Sequence, residues 1–132
     1  MTRGAFFDTN VPLYLISNDA SRAGRAEELL ALGGTISVQV LNEFVAVARR
    51  KQTTPWSAIE DLLNGLRRIC RVEPVTVAQH VRALALAKRY GFHIYDATIV
   101  ASALEAACDT LYSQDFQHGQ VLEGLTIVDP FR

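Results

Sequence analysis

At 132 residues the chain is the size of one domain and can build one proper hydrophobic core. It is 49% hydrophobic and 20% charged, ordinary values for a globular protein, and no apolar stretch approaches the ~20 residues a membrane helix needs. With 13 Lys and Arg against 14 Asp and Glu the net charge is −1, which rules out an overall basic field, so any nucleic-acid function must rest on local chemistry. The opening Met-Thr-Arg-Gly-Ala-Phe-Phe-Asp has no long apolar core of a leader, and Cys70 and Cys108 have no CxxC spacing, so free thiols and a cytoplasmic location are expected.

In chain order, Gly4 to Phe7 reads as a short buried strand leading into Asp8, and Val11 to Ile16 as a short helix started by Pro12. Asp19 or Ser21 caps a helix through Leu32, which Gly33-Gly34 stops. Thr35-Ile36-Ser37 is a second strand, followed by a helix to about Lys51. Thr54-Pro55 is a cap-plus-proline start for a helix to about Cys70, and Val72 to Val75 is a third strand. Thr76 caps a helix ending at Gly91. A further helix spans roughly Asp96 to Cys108, with strands at Thr110-Leu111-Tyr112 and Leu125 to Val128. No repeat or linker interrupts the pattern, so residues 1–132 form one domain. Strands separated by helices predict an α/β fold with a mainly parallel sheet flanked by helices, and in such sheets sites form at the carboxyl ends of the strands.

That rule sorts the acidic residues. Asp8 follows the first strand and Asp115 follows the fourth, at one edge of the sheet if those strands are adjacent, although an acid after a strand is also a common turn former. Glu43 lies in a helix that is apolar on nearly every side, with Gln39, Val40, Ala46 and Val47 as its same-face neighbours. Such a helix reads as buried, and a buried carboxylate is costly unless paired or metal-bound. Asp96 opens an almost uniformly apolar helix, where it can cap the end and also aim its carboxylate outward. Four converging carboxylates repel one another by about 4 kcal/mol per close pair at an effective dielectric near 20, so the cluster calls for cations. Oxygen ligands favour Mg²⁺ or Mn²⁺, and no Cys/His set has zinc spacing; His80, His93 and His118 read as surface or packing residues.

The sequence resembles PIN domains, specifically the toxin members of VapBC-type toxin–antitoxin pairs, over essentially the whole chain. The resemblance lies in Phe6-Phe7-Asp8-Thr9-Asn10, Asn42-Glu43-Phe44, Ile94-Tyr95-Asp96-Ala97 and Leu111-Tyr112-Ser113-Gln114-Asp115, four segments in order and each in its matching slot. It implies a PIN-like three-layer fold and a Mg²⁺- or Mn²⁺-dependent endoribonuclease leaving a 5′-phosphate and a 3′-hydroxyl. It assigns Asp8, Glu43, Asp96 and Asp115 to one or two metal ions, Ser113 to supporting the site and Asn10 to orienting the first aspartate. It also implies a small antitoxin partner and a homodimer.

An acidic pocket repels RNA unless bases flank it. Arg49, Arg50 and Lys51 end the helix carrying Glu43, Arg50 two turns beyond it on one face, and Lys88 and Arg89 precede Asp96; Arg49, Arg50, Lys88 and Arg89 are the candidate phosphate contacts. Two other readings compete. A phosphotransferase of the haloacid dehalogenase kind wants Asp-x-Asp after the first strand, and here the third position is Asn10. A PIN fold that binds without cutting is opposed by the presence of all four carboxylates. For inhibition by an antitoxin, an Arg or Lys inserted among Asp8 and Asp96 is the expected device, with further contacts in an apolar groove beside the helices spanning Val11 to Leu32 and Thr54 to Cys70.

Overall fold

A computed structural model describes residues 4–51 and 53–132. The reading of a leaderless start falls partly on residues 1–3, outside the described residues. β1 (Ala5–Phe7) leads through α1 (Asn10–Leu13) and a 3-10 turn (Tyr14–Ile16) to α2 (Ala20–Ala31). β2 (Gly34–Ser37) runs directly into α3 (Val38–Arg50), then come α4 (Trp56–Ile69) and β3 (Cys70–Glu73). α5 (Val77–Tyr90), α6 (Ile94–Glu105), β4 (Thr110–Tyr112), β5 (Val121–Leu122) and β6 (Leu125–Val128) complete the chain. Among the described residues the strands form one sheet in the order β3-β2-β1-β4-β6-β5, parallel throughout except for the β5–β6 pair.

The central strands carry the core: Phe6, Ile36, Leu111 and Ile127 are wholly buried between helices. β1 and β2 approach so closely that a Cβ at Gly34 would stand 2.8 Å from the Ala5 carbonyl oxygen and 2.5 Å from the Phe7 ring. Glycine is therefore what allows this register. α6 runs through the core, every side chain from Ala97 to Ala103 buried, which explains its uniformly apolar sequence. Its Ser102 hydroxyl donates to Gln79 of α5 (3.0 Å), so this buried polar pair is satisfied.

Several boundaries differ from the sequence reading, each for a local reason. Asp19, rather than Ser21, caps α2 by accepting from the Arg22 N–H (3.1 Å). Pro55 itself takes the N-cap of α4, and β3 starts at Cys70 because the α4 backbone turns extended there, two residues early. α6 starts at Ile94: His93 is its cap, its Nδ1 accepting from the Tyr95 N–H (3.3 Å), so Asp96 lies in the first turn and is not the cap. α3 is amphipathic rather than buried all round; Val40, Phe44 and Ala48 face the core while Val38 and Asn42 are exposed, which leaves Glu43 half-buried. The two-residue strand β5, turned antiparallel onto β6 through Glu123-Gly124, has no counterpart in the sequence reading. Cys70 and Cys108 are buried free thiols. No described helix is long and apolar enough to cross a membrane.

Candidate active site

The ladder between β1 and β4 runs one residue past both strands, the Asp8 N–H donating to the Tyr112 carbonyl (3.0 Å), and Ser113 N–H likewise continues β4 onto Val128 (3.0 Å). Asp8 and Ser113 thus leave neighbouring strand ends on rigid backbone, and the condition that the first and fourth strands be adjacent is met. The Ser113 hydroxyl donates to Asp8 Oδ2 (2.6 Å), and the Thr9 N–H donates to Asp8 Oδ1 (2.7 Å). Asn10 Nδ2 reaches the Ser113 hydroxyl (3.4 Å) and Asp115 Oδ2 (3.3 Å), while the Asp115 N–H donates to Ser113 Oγ (3.0 Å). One chain of bonds therefore joins Asp8 to Asp115.

Glu43 arrives from the other side. Ser37 ends β2 and caps α3 through its hydroxyl, which fixes where the second turn of α3 stands. The Gln39 amide donates to Glu43 Oε1 (2.7 Å) and to the Tyr95 carbonyl (3.0 Å), tying α3 to the first turn of α6, where Asp96 sits.

The electrostatics mark the four acids as one cluster. Asp8 is almost wholly buried, and burial first, then the charges of Asp115 and Glu43, push its pKa from 3.8 up to about 7, against the bonds from Ser113 and Thr9. Glu43 is raised chiefly by burial and further by Asp96 and Asp115, against the Gln39 amide. Asp96 is raised chiefly by burial and then by Asp115, with His93 acting the other way. Among the described residues none of the four forms an ion pair with Lys, Arg or His. Uncompensated carboxylates at strand ends are where a cation would bring the largest relief.

Whether the residues suit a metal ion can be judged from their atoms. The donors are all oxygen; beside them Thr9 faces Glu43, and among the described residues Asn10 Oδ1 is buried without a hydrogen-bond partner. That donor chemistry fits a hard divalent cation such as Mg²⁺ or Mn²⁺. Among the described residues no group of three or more His, Cys, Asp or Glu side chains stands ready to hold a metal ion, so binding one would require these side chains to draw together.

The basic candidates separate. Arg50 lines the cavity that Glu43 also lines. Arg49 is turned onto the Trp56 ring, 4.6 Å from its centroid, and bonds the Thr54 carbonyl (3.1 Å). Lys88 and Arg89 close α5, with Arg89 over the Tyr90 ring (5.1 Å). Gln39 is the residue whose part the sequence did not reveal, although its place one turn before Glu43 was the available signal. His93 and His118 serve local structure, His118 Nδ1 accepting from the Asp129 N–H (3.0 Å).

Comparison with known proteins follows the same lines. The family model described as PIN domain matches residues 5–121. No curated protein sequence matches the chain. The fold is similar to that of a Mycobacterium tuberculosis protein, VapC20, described as a Sarcin-Ricin loop cleaving toxin, with TM-score 0.70, 24% identity and coverage of 84% of this chain and 89% of that one. It is similar to a toxin-antitoxin complex from Klebsiella pneumoniae (TM-score 0.71, 21% identity, 96% and 97% covered). It is also similar to DNA-bound VapBC from Salmonella typhimurium (TM-score 0.69, 18% identity, 98% and 99% covered).

Proposed function

This chain belongs to the PIN domain family, and we propose that it is a metal-dependent endoribonuclease, the toxin of a type II toxin–antitoxin pair, acting in the cytoplasm. What supports the reading is that Asp8, Glu43 and Asp96 are each raised by burial and by the charges of other acids of the set, Asp115 among them, with no ion pair to a basic side chain among the described residues. Those four carboxylates would hold Mg²⁺ or Mn²⁺, which supplies a bound water acidic enough to yield hydroxide near neutral pH.

The chain's own groups do the positioning. Ser113 and the Thr9 N–H clamp both oxygens of Asp8, and Asn10 aligns Asp115 with them. Gln39 fixes Glu43 relative to the start of α6. Arg50, lining the cavity beside Glu43 and with no acidic partner among the described residues, is placed to meet a backbone phosphate; Lys88 and Arg89, in the last turn of α5, are further candidates for the same task.

The test is cleavage of RNA by rigorously purified protein. Turnover should require Mg²⁺ or Mn²⁺, and alanine at any of the four acids should reduce it by orders of magnitude, whereas alanine at the exposed Glu27 or Glu60 should leave it intact. Full activity in excess EDTA would sink this reading, and loss of activity only in the Glu27 or Glu60 variants would place the site elsewhere.

A partner is part of the proposal. An apolar cavity of about 570 Å³ between α2 and α4, lined by Leu15, Ala23, Leu30, Leu62 and Ile69 among others, supports docking of a small antitoxin there. An Arg or Lys on the same antitoxin would reach Asp8 and Asp96. A stripe of exposed Val77, Val81 and Leu84 along α5 supports a homodimer. Sedimentation of the purified chain should show a dimer at micromolar concentration, and a strict monomer would contradict it.

A further inference from the structure

We propose that the cavity beside Glu43 is a nucleobase pocket, in which one unpaired base of the RNA stacks on Tyr95 and is read by Gln39 and Asn42. The inference rests on the ribonuclease reading and adds to it a place and a means of substrate selection. The cavity has a volume of about 720 Å³ and runs along one face of α3 from Val38 to Arg50, with Val75 and Tyr95 from either side of α5 beside it and Val38, Val47 and Val75 supplying apolar wall. Glu43 is a wall of this cavity and a member of the carboxylate cluster, so a strand with its phosphate at the carboxylates has its adjoining nucleotide beside the opening.

Three features favour a base over another occupant. Tyr95, one residue before Asp96, is 61% exposed although its ring stands 5.2 Å from that of His93, and its hydroxyl has no hydrogen-bond partner among the described residues. Every nucleobase has a face for such a ring, worth roughly a fivefold to hundredfold change in affinity per stacked base. Gln39 spends its amide N–H groups on two acceptors, Glu43 Oε1 and the Tyr95 carbonyl, which fixes the amide's orientation and leaves its own carbonyl oxygen available. Asn42, exposed and without a partner among the described residues, adds a donor and an acceptor. Mixed amide donors and acceptors suit base edges, as they do elsewhere in single-strand recognition. Arg50 on the same rim provides the charge for the phosphate that follows. An apolar peptide would leave these amides and the guanidinium unanswered.

The experiment uses the full chain with a pool of short single-stranded RNAs randomised around the cut, read by sequencing the product 5′ ends. It is paired with fluorescence quenching of 2-aminopurine placed in the preferred RNA, measured with the Asp115→Asn variant to prevent cleavage. Wild type should prefer one base or base class at one position beside the cut. Tyr95→Ala should lower affinity roughly tenfold and abolish the quenching, Tyr95→Phe should restore both, and Asn42→Ala should flatten the preference while the quenching persists. Tyr95 and Asn42 are both exposed, so these substitutions leave the core untouched. Cleavage by wild type with base preference and quenching unchanged in Tyr95→Ala and Asn42→Ala would overturn the pocket and leave the ribonuclease standing. Quenching lost in Tyr95→Ala without any cleavage by wild type would overturn the ribonuclease and leave a base-binding pocket. If Tyr95→Ala instead changes only the oligomeric state in sedimentation, the cavity is an interface between copies and the proposal fails.

Discussion

Asp8 is buried, carries the most displaced proton affinity in the cluster, and yet has both carboxylate oxygens engaged by donors that want it ionised. The burial and the neighbouring carboxylates prevail, and that sets a stability consequence with a definite sign. A carboxyl with a folded pKa near 7 against 3.8 unfolded binds more protons in the native state between those values. Its contribution to stability is therefore fully present below about pH 4 and is lost as pH rises through about 7, by an amount on the order of a few kcal/mol. In metal-free protein Asp8→Asn should remove this loss, so the variant should gain on wild type between pH 5 and pH 8 and melt above it at pH 8. Melting curves across that range check the claim; a wild type that melts higher than the variant at pH 8 would show that the clamp on Asp8 outweighs its burial.

At the scale of elements, the site is held in place by a close approach of β2 to β1 that tolerates little change. β2 can lie against β1 only because Gly34 has no side chain, the Ala5 carbonyl being backbone that cannot move aside. Gly34→Ala should destabilise the fold by about 1–3 kcal/mol and shift the strand end carrying Asp8. Gly65, inside α4 with nothing within 4 Å of its would-be side chain, should respond in the opposite direction. Gly65→Ala should stabilise by up to about 1 kcal/mol through helix propensity. Urea unfolding of the two variants measures both, and a neutral Gly34→Ala would mean the sheet can open without cost.

Legibility in the sequence varied with how local the determinant was. Asp8 and Asp115 could be placed because a strand end announces its own direction, and adjacency of β1 and β4 completes the pair. Glu43 was legible as an outlier in an apolar helix, but its half exposure was not, because Val38, Val45 and Val47 look like core and lie partly in solvent. Asp96 reads as a cap until His93 is seen to hold that position, a choice made by the backbone after Gly91 rather than by residue type. β5 has two residues and no period to detect. The hydrogen bond from Gln39 to the Tyr95 carbonyl joins residues 56 apart in the sequence, a distance no local pattern spans.

For the molecule as a whole, a net charge of −1 coexists with a local concentration of negative charge, and the two together shape its partners. On the proposed reading the chain needs a cation to act and is silenced by a different one. If an antitoxin Arg or Lys enters the site as proposed, neutralising it (Arg→Gln or Lys→Gln) should weaken inhibition of cleavage more than it weakens binding, since the groove between α2 and α4 would supply the remaining contacts. Titrating cleavage and binding side by side would separate the two. Equal losses, or full inhibition with metal still bound, would mean that the antitoxin blocks access of RNA instead.

The central claim is that Asp8, Glu43, Asp96 and Asp115 act as one cation site, and Mn²⁺ binding at pH 8, followed by electron paramagnetic resonance without any RNA, tests it most directly. Wild type should bind Mn²⁺ saturably and lose it to Mg²⁺. Each single alanine at the four positions should weaken Mn²⁺ by roughly tenfold or more, the scale on which loss of even a supporting group is felt, while Glu27→Ala leaves it unchanged. Unchanged Mn²⁺ affinity in any one of the four variants would remove that residue from the site, and no saturable binding to wild type would contradict the account.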